Sequence, residues 1–174
     1  MNYKKYRIFL LSALFFLMVG CSPAALPEPP QSKSPLPFSK LYPTKDMNNS
    51  ISLALDTTEK NDLKSGSNVF LQVQNQSDQQ IWFEADWQAR IYQSVSSGAD
   101  LWMPVENGVQ YAGDGIVLYP KSGGGNTTYS IVCIPLLTGS QSAMVRVVVT
   151  GQIYKNKNKT GIPVSAFTDL TITP

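Results

Sequence analysis

The stretch Val69-Phe70-Leu71-Gln72-Val73-Gln74 places Val69, Leu71 and Val73 on one side and Phe70, Gln72 and Gln74 on the other, and Asn75-Gln76-Ser77-Asp78 ends it. A period of two sends successive side chains to opposite faces of an extended chain. Asn, Ser and Asp bond to nearby backbone and so favour a turn. The same pattern recurs along the chain. An extended segment restarts at Ile81 to Phe83. Trp87, Ala89 and Ile91 alternate with Gln88, Arg90 and Tyr92, as do Val145, Val147 and Val149 with Arg146, Val148 and Thr150, and Leu170 and Ile172 with Thr171 and Thr173. Such runs, rich in β-branched and aromatic residues, predict strands. We place them at 51–56, 67–75, 80–84, 87–93, 101–105, 115–119, 127–134, 143–154 and 167–173. Turn-forming clusters separate them: Ser96-Ser97-Gly98, Glu106-Asn107-Gly108, Gly113-Asp114-Gly115, Ser122 to Asn126, Thr138-Gly139-Ser140 and Asn158 to Gly161. No long segment beyond residue 21 repeats at the 3.6-residue helical period, and there is no internal repeat. The expectation is an all-β sandwich or barrel.

Two segments carry a resemblance. Val69–Ser77, an alternating strand ending in Asn-x-Ser, resembles the second strand of many bacterial immunoglobulin-like domains. Leu118-Tyr119-Pro120, a Gly-rich turn and a further extended run resemble a later strand pair of the same domains. The resemblance implies an immunoglobulin-like antiparallel β-sandwich of about seven to nine strands. It implies no function, because a fold of this kind hosts many.

The N-terminus has a separate logic. Lys4, Lys5 and Arg7 precede an apolar run from Ile8 to Val19 interrupted only by Ser12; Gly20 and Cys21 follow. A basic start, a short apolar stretch and a small residue before a cut make a secretory signal. The run is about a dozen residues, whereas a spanning helix needs roughly 20. Met18-Val19-Gly20-Cys21 resembles the lipobox of bacterial lipoproteins. That resemblance implies cleavage after residue 20 and a diacylglycerol on the Cys21 thiol. It also implies an anchor of two or more acyl chains, enough for stable attachment. The domain would then stand on the extracytoplasmic side of the cell membrane or outer membrane. Ser22 rather than aspartate after the cysteine fits outer-membrane export in Gram-negative lipoproteins of the enterobacterial type.

Residues 22–45 hold seven of the 12 prolines: Pro23, Pro27, Pro29, Pro30, Pro35, Pro37 and Pro43. Such a segment favours extended polyproline II, about 3.1 Å per residue, and could hold a domain up to roughly 70 Å from a bilayer. The expected division is a signal peptide over 1–20, a Pro-rich disordered tether over 21–45 and one sandwich domain over 46–174.

Charge narrows the partners. The chain has 14 basic and 12 acidic residues. Three of the basic ones lie in the signal, leaving 11 against 12 acidic, a net charge of −1. There is no basic footprint for nucleic acid. Lys155-Asn156-Lys157-Asn158-Lys159 reads as a solvated hairpin tip. No histidine is present, which removes the usual Ser-His-Asp and Cys-His arrangements and the commonest transition-metal ligand. With Cys21 acylated, Cys133 is the remaining thiol. In Tyr129-Ser130-Ile131-Val132-Cys133-Ile134 it reads as a small buried hydrophobe. Glu84 and Asp86 lie two apart and read as a solvated strand edge or turn rather than a glycosidase pair or calcium ligands. Ser122-Gly123-Gly124-Gly125-Asn126 lacks the Gly-Lys-Ser/Thr ending of a phosphate loop. The sequons at Asn48, Asn75, Asn126 and Asn158 read as chance.

The aromatics remain. Trp82, Trp87 and Trp102 cluster mid-chain with Tyr92, Tyr111 and Tyr119. One tryptophan between two sheets belongs to a sandwich core, and Trp87 fits that place beside Ile91. Trp82 and Trp102 are the candidate binding anchors. The expected function is a lipid-anchored cell-envelope lipoprotein whose sandwich is a non-catalytic binding or scaffolding module. It needs no cofactor and no metal, and its partner is an envelope protein or glycan. The alternatives are a carbohydrate-binding module for envelope or extracellular glycans, and a protease inhibitor-like sandwich presenting Lys121 to Thr128. The lipobox yields the first prediction: Cys21→Ser abolishes acyl labelling and leaves the protein unprocessed or soluble. Equal labelling of wild type and variant would refute the lipid anchor.

Overall fold

The computed structural model describes residues 34–42, 46–58, 60–95, 99–105, 114–122, 127–135 and 142–174. The lipobox with Cys21, most of the Pro-rich segment, Tyr111 and the tip of the 121–128 loop lie outside them. Among the described residues nine strands follow one four-residue helix: α1 (Phe38–Leu41), β1 (Ile51–Leu55), β2 (Asn68–Asn75), β3 (Gln80–Phe83), β4 (Arg90–Ser94), β5 (Trp102–Val105), β6 (Ile116–Leu118), β7 (Tyr129–Pro135), β8 (Ala143–Lys155) and β9 (Asn158–Ile172). They form two antiparallel sheets. The smaller has the order β1-β2-β7 and the larger β5-β4-β8-β3-β6, with β9 also on β8. The all-β sandwich expected from the alternating runs is the fold observed.

The core takes in one side of each alternating run, Val69, Leu71 and Val73 and Val145, Val147 and Val149 among them. Ile51, Val69, Leu71 and Val73 from the smaller sheet meet Ile81, Phe83, Val145, Val147 and Val149 from the larger, all fully buried. Each such side chain contributes roughly 1.5–3 kcal/mol over remaining exposed. Asn75 stitches the layers. It is fully buried at the end of β2, and its Nδ2 donates to the Gln79 carbonyl at 2.7 Å and the Leu118 carbonyl of β6 at 3.1 Å. Its Oδ1 accepts from the Ser77 backbone N–H at 2.9 Å. The Asn75-x-Ser77 signal is therefore a structural turn with no side chain to offer a sugar.

Strand β8 is the spine. One edge pairs with β9 along its length, and the other pairs first with β4 and then with β3. Asn156 and Lys157 turn the β8–β9 hairpin with φ of 53° and 62°. Two successive positive φ values mark the two-residue turn whose twist suits a hairpin. The basic run is thus an exposed hairpin tip, as its composition suggested.

The last strand, expected over 167–173, is β9 and begins at Asn158. The hairpin turns at Asn156 and Lys157, so the segment Asn158 to Gly161, expected as a turn, lies in the strand, with Asn158 opposite Lys155 and Lys159 opposite Tyr154. Two other boundaries also differ from the sequence expectation. The strand expected over 87–93 begins only at Arg90, because Glu84 to Ala89 forms a double turn. Trp87 and Gln88 have φ of 55° and 44°, the Trp87 N–H donates to the Glu84 carbonyl, and the Ala89 N–H donates to the Asp86 carbonyl. Asp86 Oδ1 accepts from the Gln88 N–H at 2.9 Å and fixes the turn. Trp87 still reaches the core, its ring 4.6 Å from that of Phe83. The second difference is at the N-terminal side. The sequence reading begins the folded domain at residue 46, yet residues 34–42 already pack on the larger sheet. Leu36 exchanges two backbone hydrogen bonds with Trp102, at 3.0 and 2.9 Å, along the edge of β5. Phe38 and Leu41 are buried. Three apolar side chains set among the prolines thus seat a strap that proline density alone reads as tether.

Gly151 lets the spine pass close to the side chains of β3. A Cβ there would sit 2.8 Å from the Phe83 ring and from the Trp82 carbonyl oxygen, and 2.9 Å from Ile81. Gly151→Ala is expected to cost about 1–3 kcal/mol, read as a lower urea midpoint at unchanged slope.

Candidate contact surface on the outer face of the larger sheet

Alternation sends Ile81 and Phe83 inward and leaves Trp82 on the outer face. It stands opposite Val117 on β6 and Gln152 on β8. Trp82 is half-buried. Its ring lies 5.7 Å from that of Tyr154, inclined by 32°. Lys159, the cross-strand partner of Tyr154, holds its Nζ 4.9 Å from the Trp82 ring centre and pairs with Glu84 at 2.5 Å. Both side chains of that pair are well exposed, so the pair by itself adds little stability. The Lys159 ammonium and the ring attract through the ring quadrupole. Trp82 Nε1 is buried with no hydrogen-bond partner among the described residues.

Gly115 sets the depth of the ring. A Cβ at that position would lie 2.3 Å from both the Phe83 carbonyl oxygen and Trp82 Cζ2. The indole thus rests directly on backbone, which a side chain would prevent.

The other half of this face is covered. Tyr92, Trp102 and Val148 form a second apolar cluster with Phe38 and Leu41 of the strap, separate from the inner core. Arg146 lies at its centre. Its guanidinium carbon is 4.4 Å from the Phe38 ring centre and 4.3 Å from those of Trp102 and Phe167. Its nitrogens Nε and Nη2 donate to the two carboxylate oxygens of Asp169, each at 2.7 Å. This two-point match is the strong form of an arginine–carboxylate contact. The Tyr42 hydroxyl bonds to those of Thr150 and Ser165. Tyr92 is nearly inaccessible, and its hydroxyl has no partner among the described residues. Burial, with a smaller effect of Tyr42, pushes its pKa up to about 12.

The residues singled out in the sequence therefore divide. Trp82 stands on the open half of the outer face. Trp102 is 3% exposed, its Nε1 donating to Asp100 at 2.7 Å, and it has no free ring face while the strap is seated. Cys21 is outside the described residues. Glu84 and Asp86 do not converge on one site: the first pairs with Lys159 and the second holds the 84–89 turn. Cys133 is not a core residue. Val132 and Ile134 point inward, while Cys133 is half-buried on the outer face of the smaller sheet opposite Phe70. Partial burial raises its pKa. Among the described residues no three His, Cys, Asp or Glu side chains gather, and no helix is long and apolar enough to cross a membrane.

The sequence reading missed Arg146, Lys159 and the strap. A signal for the strap existed: Tyr92 and Val148 fall at outward positions of β4 and β8, and two large apolar residues on a solvent face ask for a cover. Compared with models of known protein families the chain matches none, and comparison with curated proteins likewise gives no match.

The close seat of the indole gives a test. Gly115→Ala is expected to lift Trp82 off the backbone, shifting its fluorescence and weakening its contact with Lys159, with the β-sheet circular dichroism retained. An unchanged Trp82 signal would mean that Gly115 does not set the ring position.

Proposed function

We propose that the chain is a lipid-anchored cell-envelope protein whose β-sandwich works by contact and not by catalysis, as a binding or scaffolding module for another envelope macromolecule. The observation that carries this reading is the Trp82 cluster: a half-buried indole seated on backbone, beside Tyr154 and rimmed by the Lys159–Glu84 pair. A rigid aromatic anchor with a polar, charged rim is the composition of residues that dominate protein contacts. The lipobox resemblance around Cys21 supports the anchor. The absence of histidine from the sequence supports a non-catalytic role. The immunoglobulin-like reading is supported by the pairing order, which puts the first, second and seventh strands in one sheet and the third, eighth and ninth in the other. The glycan-binding alternative is less well supported, since the 32° inclination of Trp82 and Tyr154 and the ammonium over the indole leave no flat aromatic platform.

The test is capture of envelope components by the lipid-free mature chain, residues 22–174, compared with its Trp82→Ala variant. Truncating an anchor of this kind costs about 2 kcal/mol or more, roughly a 30-fold loss of affinity. The variant should lose its captured partner while keeping the wild-type circular dichroism and urea midpoint. Normal capture by a folded variant would remove the Trp82 patch from the function.

A further inference from the structure

We propose that residues 34–42 form a latch: a strap that leaves and reseats on the outer face while the sandwich beneath stays folded, uncovering Trp102, Tyr92, Val148 and Phe167 when it leaves.

Four observations carry the proposal. First, the strap belongs to an outer cluster distinct from the inner core. Losing Phe38 and Leu41 therefore opens one face without entering the space between the sheets. Second, the groups under the strap keep partners of their own. Arg146 holds its two bonds to Asp169, Trp102 Nε1 holds Asp100, and Thr150 and Ser165 bond to each other at 3.1 Å as well as to Tyr42. The strands that carry them are tied by the β4–β5, β4–β8 and β8–β9 ladders, none of which includes the strap. Third, the strap has little structure of its own. Helix α1 is four residues long, with no side-chain cap at Pro37, far below the length at which an isolated helix persists. Its order exists only by docking. Fourth, the docked state buries the Tyr92 hydroxyl without a described partner. Water satisfies that group on release, so the penalty of an unmade hydrogen bond falls on the docked state alone.

Release has a consequence for an anchored chain. With the strap seated, residues 22–33 separate Cys21 from the first docked residue; with it free, residues 34–45 add to that separation and lengthen the reach of the chain. Reach and exposure of the aromatic face change in one step. The change in reach rests on the lipid-anchored reading. The latch itself does not, and it is tested on lipid-free protein.

The experiment is native-state amide hydrogen exchange on the mature lipid-free chain, residues 22–174, corrected for intrinsic rates. The N–H groups of Leu36 and Trp102, which bond only across the strap contact, should exchange about 100-fold faster than the slowest amides of β8, and without dependence on low urea, the mark of local opening. Phe38→Ala should accelerate these two amides about tenfold further and leave β8 unchanged. Exchange of Leu36 and Trp102 at the β8 rate would overturn the latch. So would a Phe38→Ala variant that accelerates all amides alike or does not fold, since the strap would then be part of the cooperative core.

Discussion

The structure depends on the two-residue alternation of β8. Its inward side chains Val145, Val147 and Val149 fill the space between the sheets, while Arg146, Val148 and Thr150 face outward. Because β8 pairs with β9 on one edge and with β4 and β3 on the other, its register fixes the faces of four strands together. A slip of one residue would move Arg146 into the core and the three valines into water. The larger sheet therefore has one register consistent with burial, and the positions of Trp82, Tyr92 and Phe167 on the outer face follow from it.

That outer face is not uniformly polar, and its two halves resolve the problem differently. Near β5, the outward Val148 and Tyr92 are covered by the strap, which brings Phe38 against the guanidinium of Arg146. An arginine stem and planar head lie well against aromatic rings, and the two bonds to Asp169 satisfy the charge. The Arg146 side chain is 15% exposed and that of Asp169 36%. The pair thus sits partly in water, and its main effect is to orient the head between Phe38, Trp102 and Phe167. Near β6 no described segment covers the sheet. There Trp82 is shielded by Tyr154 and by the Lys159 ammonium, a smaller and more exposed cover. This contrast is why the open half supports the contact surface and the covered half supports the latch.

The 84–89 turn links the two halves. It interrupts the partner strand of β8 between β3 and β4, and the Thr150 N–H donates to the Trp87 carbonyl at 3.0 Å across the gap. The ladder therefore continues past the interruption. A tryptophan and a glutamine in left-handed backbone are uncommon for such bulky residues. The turn is held by Asp86 and by the Trp87 ring in the core, two interactions from opposite sides of the chain.

The sequence by itself determined the fold class, the positions of most strands to within a few residues, and the inward sides of β2 and β8. Those follow from local alternation and turn chemistry, which need no knowledge of distant residues. Alternation also placed Trp82 outward and Trp87 inward. It did not foresee that Trp87 would reach the core from a turn, because positive φ at a tryptophan is a tertiary compromise that local propensity disfavours. It placed Cys133 among apolar neighbours without knowing which face of its sheet was closed. Only the tertiary structure decided that Trp102 lies beneath the strap, that Arg146 joins three rings distant in sequence, and that Lys159 caps Trp82. Each of these contacts depends on which strands become neighbours, and the strap in addition on three apolar side chains finding a complementary face. Such long-range matches are set by packing: outward Tyr92 and Val148 signal that a cover is needed, and no local pattern in the chain says which segment supplies it.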